Sequence, residues 1–303
     1  MKKESIFHRI RRKFQAILFR ITSARFVSKL YYRLFMKKKL NLKNPVGFNE
    51  KIQWLKLYEY PFDDLVVKCT DKYDVREYIE SKGLGSILNN LYFVCDKESD
   101  VDWNSLPNQF ALKCTHGCGY NIICDDKEKI DLKKARKRVK RWMKEKFGEF
   151  FAEIHYNRLK PKIICEKFLG GDIVDYKFYC FGGVPKFLYM SKGLGNYEDA
   201  KIAFYNIDKS SADFGRTDFA KFDDASFPDQ YEHMLEIARI LAKDFLFVRV
   251  DLYEFEGKVY FGELTFTPAG GLMKFEPEEY EQYFGSLLDI TKSKAYKAKN
   301  VSK

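Results

Sequence analysis

No hydrophobic run in this sequence reaches the roughly 20 apolar residues that a membrane-crossing helix requires. Its first residues are too charged to hold the apolar core of a secretory signal peptide, so the expectation is a cytoplasmic protein. Internal repeats and low-complexity tracts are absent, which argues against a solenoid or a disordered linker. Paired cysteines are missing as well. The seven present (Cys69, Cys95, Cys114, Cys118, Cys124, Cys165 and Cys180) are odd in number and sit mostly in apolar, strand-like runs. That pattern suits buried free thiols better than a disulfide framework. Cys114, His116, Cys118 and Cys124 lie close together, but with no usual zinc spacing and with glycines between them. Acidic residues are the last scarcity. Residues 1–43 hold 14 Lys/Arg and only Glu4 against them, a net +13 in a chain whose total is +11. The rest is therefore close to neutral, and a basic arm has to be explained separately from the body.

What is present supports a large core: 303 residues, 46% hydrophobic and 17% aromatic. In the arm, residues 1–43, Ile6, Ile10, Phe14, Ile17, Leu18 and Ile21 recur at helical spacing between Arg and Lys. A basic amphipathic helix of this kind fits an anionic membrane surface, or docks on its own domain with a solvated basic face. Nucleic acid is not expected, because no recognised binding module follows and the body is not basic. After a turn at 44–50 with Asn49 as a helix cap, the spacing predicts helices over 51–60 and, capped by Asp71, over 72–82. A further basic helix covers 133–147. Strand-like runs, several joined by glycine turns, occupy much of 88–207. Pro228 opens a helix to about 244, Glu276–Leu288 closes the fold, and 291–303 is read as a polar tail. Trp54 and Trp142 are read as packing residues, and His155 as a core or surface histidine sooner than a substrate contact.

Two stretches carry chemistry. Phe247–Gly271 reads as two strands joined at Glu256-Gly257, with Asp251 on the first and Glu263 on the second. Antiparallel pairing would bring these carboxylates together beside Arg249, an arrangement that suits a hard cation. Residues 110–124 read as a strand bearing Lys113, then a glycine loop, then a returning strand. Small residues there let backbone amides approach phosphate oxygens, with Lys113 as a point charge. This is not a Walker loop: the glycine pattern is too short, and a strand follows it instead of a helix.

Four motifs in order (Asp71-Lys72, Phe110–Asn121, Ile164-Cys-Glu-Lys-Phe-Leu-Gly170, and Arg249-Val-Asp251 with Phe261–Gly271) resemble the ATP-grasp superfamily, and within it the TupA-like family of polysaccharide biosynthesis. The resemblance covers residues 44–290 and implies an α+β, ATP-grasp fold in which two α+β subdomains sandwich the nucleotide. It implies ATP and Mg²⁺ as cofactors. Lys72, Lys113 and Lys177 would contact phosphates, and the loop carrying His116, Gly117 and Gly119 would close over them. Glu166, Lys167 and Phe168 would read adenine, and Asp172 the ribose. Asp251 and Glu263 would hold the metal, and Arg249 would stabilise the transferring phosphoryl group. The family pattern ends Glu-x-Asn, whereas here Thr265 replaces the asparagine, so a hydroxyl stands in for one metal ligand. The implied reaction is ligation of a carboxylate to an amine through an acyl phosphate, on a cell-surface polysaccharide or a uronic-acid or amino-acid precursor. The arm would then serve a peripheral position on the inner membrane face.

Three other readings stay open on sequence alone. A glycosyltransferase would need a metal-binding Asp-x-Asp motif, for which Asp63-Asp64, Asp125-Asp126 and Asp223-Asp224 are the nearest matches. A sugar kinase would use the same fold without an acyl phosphate. A membrane-associated binding protein would need no catalysis at all.

Overall fold

The structure is a computed structural model that describes residues 6–171, 173–193 and 200–301. Two helices, α1 (Ile6–Ile21) and α2 (Ala24–Met36), lead into α3 (Phe48–Tyr58), α4 (Asp64–Thr70) and α5 (Val75–Ser81). A four-stranded sheet follows, with β1 (Leu91–Cys95), β2 (Phe110–Cys114), β3 (Asn121–Cys124) and, beyond α6 (Leu132–Trp142), β4 (Ile163–Glu166). Its order is β1-β4-β2-β3 and every pairing is antiparallel. The second sheet contains β5 (Asp175–Phe181), β6 (Val184–Lys192), β7 (Lys201–Asn206), β8 (Ala220–Lys221), β9 (Phe247–Phe255) and β10 (Lys258–Thr265). Its order is β10-β9-β5-β6-β7-β8, antiparallel except for the short parallel β7–β8 pair. Helices α7 (Tyr231–Ala242), α8 (Glu279–Leu287) and α9 (Lys294–Val301) complete the chain. Two sheets, each with its own helices, make the α+β architecture expected from the order of segments.

Each sheet has a separate core. Strand β5 is buried along almost its whole length, and α7 packs Met234, Leu235, Ile237, Ala238 and Leu241 into the same cluster as Phe178, Val248 and Val250. Apolar periodicity near 3.6 on α7 and a continuous apolar run on β5 are what their sequences offer to such a core. The smaller sheet packs Leu112, Ile122 and Ile163 against Ala135, Val139 and Trp142 of α6. The outer side of α6 carries its lysines and arginines, so its basic run is largely a solvated face.

Three local expectations change. Asn49 is not a cap: Gly47 begins α3, and Asn49 is fully buried inside the helix. Its side chain bonds the backbone of Met273 and the carboxylate of Glu281, tying α3 to two distant segments. Asp71 does hold a turn, accepting from Tyr73 and Asp74 amides, but the helix starts only at Val75. The polar tail forms α9, whose first amides, at Lys294 and Ala295, bond Glu59 and whose Tyr296 packs on Trp54. A distant carboxylate at a helix start gives no local signal in a tail sequence.

The arm is also more integrated than its charge suggests. Val27, Tyr31 and Tyr32 of α2 are buried, and Arg12 and Arg20 of α1 pair with Glu145 and Glu149 at 3.1 and 2.8 Å.

Candidate functional site

The β9–β10 hairpin turns at Glu256 and Gly257, both with positive φ (51° and 71°), the backbone of a tight two-residue turn between twisted strands. From that turn, alternation alone would place Gly262 opposite Asp251 and turn Glu263 to the other face. A bulge at Gly262 shifts the register, so that Glu263 pairs with Asp251 and Thr265 with Arg249. Glycine is needed there: a Cβ would meet the Tyr253 ring at 2.8 Å and the Asp251 carbonyl at 2.9 Å. Lys177 on β5 pairs with Asp251 across the next ladder. Glu263, Asp251 and Lys177 therefore form one rung across three strands, and Thr265 and Arg249 lie on the rung beside it.

Charges on these rungs satisfy one another. Arg249 grips Asp251 with two bonds of 2.6 Å, and Lys177 adds a third, also 2.6 Å. The same Arg249 nitrogen, Nη2, lies 3.1 Å from Glu263 Oε1 and 2.9 Å from Thr265 Oγ1. Oxygens of Asp251, Glu263 and Thr265 thus converge on one positively charged point. Asp251 is completely buried, and burial pushes its carboxyl up while Arg249 and Lys177 pull it back. For Glu263, burial works in the same upward direction but is outweighed by Lys72, Arg249, Lys177 and the Thr265 hydroxyl, which hold it at about 2.

These oxygens are the ones a Mg²⁺ would need, and the fit is uneven. Among the described residues, no group of three or more His, Cys, Asp or Glu is placed to hold a metal. Two carboxylates and a hydroxyl do converge, with the Arg249 nitrogen standing where a cation is welcome. Both oxygens of Asp251 are taken by Arg249 and Lys177, whereas Glu263 contributes only Oε1 to the described bonds. Glu263 is therefore the better-placed ligand.

The glycine loop approaches from the other sheet. Lys72 donates to the Gly117 carbonyl at 2.8 Å, and its charge acts on Glu263. Cys118 at the loop tip is solvent-exposed. Gly117 fits flush against aromatic rings, since a Cβ would meet Tyr120 at 2.6 Å and Phe147 at 2.9 Å. Gly119 adopts φ 73° with open space around it. The His116 side chain points elsewhere: its Nε2 lies 3.0 Å from the Trp142 carbonyl, and burial lowers its pKa. It anchors the loop to α6 and does not face the carboxylates.

Lys113 on β2 pairs with Glu166 on β4 at 2.7 Å, and Arg76 approaches the same carboxylate at 3.5 Å. Beyond Glu166, the amide of Lys167 donates to Asn90 and its carbonyl accepts from Asn89. Phe168 follows, half-buried. The Lys167 backbone is thus committed to residues 89–90. Asp172 lies outside the described residues.

Sequence reasoning missed a second buried cluster under the Pro268–Gly271 turn. Ala269, Gly270 and Gly271 all have positive φ (50°, 66° and 73°). Gln53 bonds the carbonyls of Gly270 and Gly271, and buried Lys56 bonds those of Gly270 and Phe151. Burial lowers Lys56 to about 8. Beside it, buried Glu153 accepts from the Thr267 hydroxyl. The signal was available, since Lys56 stands four residues after Ile52, on the apolar stripe of α3. Also missed was Glu145, which pairs with Arg12 and accepts from the Tyr120 hydroxyl at 2.6 Å, linking the arm to the loop.

Comparison with solved structures finds low-identity likenesses. A D-alanine–D-alanine ligase from Bacillus anthracis complexed with ATP is 14% identical, with a TM-score of 0.40, over 65% of this chain and 55% of that one. The corresponding ligase from Helicobacter pylori is 17% identical, with a TM-score of 0.43, over 81% of this chain and 70% of that one. An N5-carboxyaminoimidazole synthetase from Staphylococcus aureus complexed with ADP is 12% identical, with a TM-score of 0.37, over 66% and 45%. This chain thus spans about half the length of the first of these ligases. Comparison with curated proteins found no match. The TupA-like ATPgrasp family model matches residues 50–289, most of the chain and all of the rungs and loops described above, and the chain belongs to that family.

Proposed function

We propose that this protein is an ATP- and Mg²⁺-dependent ligase that joins a carboxylate to an amine, acting on a cell-surface polysaccharide or its uronic-acid or amino-acid precursor. One observation carries the reading: two cations of the six-stranded sheet (Lys177 and Arg249) and one from the turn before α5 (Lys72) gather around the Asp251–Glu263–Thr265 oxygens beneath a glycine loop. ATP with its Mg²⁺ would supply the phosphoryl group that turns a carboxylate, a poor acyl donor, into an acyl phosphate open to an amine.

The chain's own residues divide that work. Glu263, ionised across the whole physiological range, is the lead metal ligand, with Asp251 and the Thr265 hydroxyl beside it. Glu263 and Thr265 would offer their oxygens to a metal, and Arg249, held in place by its two bonds to Asp251, would direct its charge toward the transferring phosphoryl group. Lys72, Lys113 and Lys177 neutralise phosphate charge, and the amides of Gly117 to Gly119 cover it. Phe168 and the residue after it read the base, with Glu166 and Lys167 holding that segment in place. The Pro268–Gly271 turn has its carbonyls drawn onto α3, and Gly270 spends its amide on Thr267. The Gly271 amide is therefore the donor proposed for the acyl oxygen.

The test is ADP release with candidate carboxylate and amine pairs, combined with hydroxylamine trapping. A hydroxamate formed only when ATP and carboxylate are both present supports ligation. ADP release with hydroxyl-only acceptors and no hydroxamate would replace ligation by phosphorylation of a hydroxyl.

A further inference from the structure

Helix α1 is amphipathic in the inverse sense to the helices of the core. With about 100° of rotation per residue, Ile10, Phe14, Ile17 and Ile21 fall within an arc of roughly 60°. All four are more than half exposed, at 57, 64, 55 and 74%. The face that meets the domain, centred roughly 160° away, carries buried Gln15 and Arg12, which pairs with Glu145. Phe19 lies on that side and packs near Val27 and Ala152. The helix is thus fastened by its polar side and turns its apolar stripe outward. Exposed Arg9 and Lys13 border the stripe on one side and exposed Arg11 on the other.

We propose that this face of α1 seats on an anionic lipid surface. Charge selects this occupant. The stripe belongs to a segment of net +13, so two copies meeting stripe to stripe would bring like charges together. A nucleic acid would satisfy the cations and leave the isoleucines and Phe14 in water. An anionic bilayer takes both: the apolar side chains enter the acyl boundary, and the flanking cations meet the headgroups. Among the described residues no helix is long and apolar enough to cross a membrane, so the seat is in the interface plane. Arg12 on the other side of α1 pairs with Glu145, and Arg20 on its flank pairs with Glu149, so the domain is carried at a set orientation. None of this depends on the ligase reading.

The experiment uses the full chain in flotation with vesicles of phosphatidylcholine alone and of phosphatidylcholine containing phosphatidylglycerol. Binding to the anionic vesicles is expected to be stronger by on the order of tenfold or more and to weaken with salt. Ile10→Ser/Phe14→Ser/Ile17→Ser is expected to lose binding by at least about tenfold without a change in melting temperature, since these side chains are exposed. Phe14→Ser alone serves if the triple variant fails to fold. Arg9→Gln/Arg11→Gln/Lys13→Gln is expected to weaken binding and flatten its salt dependence. Equal binding to both vesicle types, or full binding by the serine variants, overturns the proposal. So does concentration-dependent dimerisation abolished by Phe14→Ser without any vesicle affinity, which would make a second copy the occupant. Nucleic-acid binding that survives the serine variants, with no vesicle affinity, overturns it as well.

Discussion

The two sheets hold their charges in opposite ways. On the six-stranded sheet, Asp251, Lys177 and Arg249 are all more than nine-tenths buried, and Asp251 accepts from Arg249 along its own strand and from Lys177 on the adjacent one. On the four-stranded sheet, partly exposed Lys113 shares the single carboxylate of Glu166 with Arg76, which reaches it from α5. The first arrangement is fixed before any ligand arrives, and its charges are inseparable from folding. The second can release its lysine to a ligand while Arg76 stays beside the buried Glu166 carboxylate. Taken as two walls, one rigid and one yielding, these sets of charges suit the polyanion of the proposed function, which must be admitted and then held.

The largest effect that tests this contrast is on the rigid wall. Asp251→Ala leaves Arg249 and Lys177 buried without their shared counter-ion, and should destabilise the fold by about 3–5 kcal/mol. Urea unfolding measures it, and a loss under about 1 kcal/mol would show the rung to be better solvated than its geometry indicates. Ligand binding by this variant is therefore not separable from folding, contrary to what two carboxylates on a solvated hairpin would suggest.

Next comes the bulge. In Gly262→Ala the new methyl meets the Tyr253 ring and the Asp251 carbonyl, with an expected cost of about 1–3 kcal/mol. Because the bulge sets the Glu263–Asp251 register, Mg²⁺–ATP affinity should fall further than stability does. Equal proportional losses in both would mean that the register survives.

On the yielding wall, Lys113→Met should cost less than the Asp251 substitution, about 1–3 kcal/mol of stability, since Arg76 still faces the buried Glu166. Its ATP affinity should nonetheless drop by on the order of tenfold. Calorimetry that finds stability lost and affinity kept would reverse the roles of the two walls.

The smallest effect is one of pH. Glu263 has a folded pKa of about 2, against an ordinary 4.5, so its stabilising contribution is complete above 4.5 and is lost as pH falls from there toward 2. Glu263→Gln should flatten that acid limb, whereas Lys113→Met should leave it in place. Denaturation midpoints followed across this range would show the difference.

Much of this contrast was legible in the residues. Strand-forming runs, the Glu256-Gly257 turn, the lysine before the glycine loop and the two carboxylates all stand in the sequence, and the structure pairs Asp251 with Glu263 as neighbours. Their register was not legible, because it depends on one glycine that breaks the period-two pattern. Three-dimensional partners were equally hidden. Asn49 looks like a cap until Met273 and Glu281 surround it, and His116 looks like a loop residue until it reaches the Trp142 carbonyl. The direction of α1 was hidden for a related reason: periodicity reveals that a helix has an apolar stripe, but only the packing of its other face shows which way the stripe turns.

The most direct measurement is Mg²⁺–ATP binding by Glu263→Gln, which removes a charge from the convergent oxygens without emptying the buried Asp251 rung. Affinity is expected to fall by at least about tenfold, with the far-ultraviolet spectrum of the parent chain retained and a melting transition at neutral pH that is still cooperative but lowered, because the stabilising Glu263 charge is gone. Unchanged affinity in a folded Glu263→Gln protein would contradict the placement of the nucleotide and its metal at this hairpin.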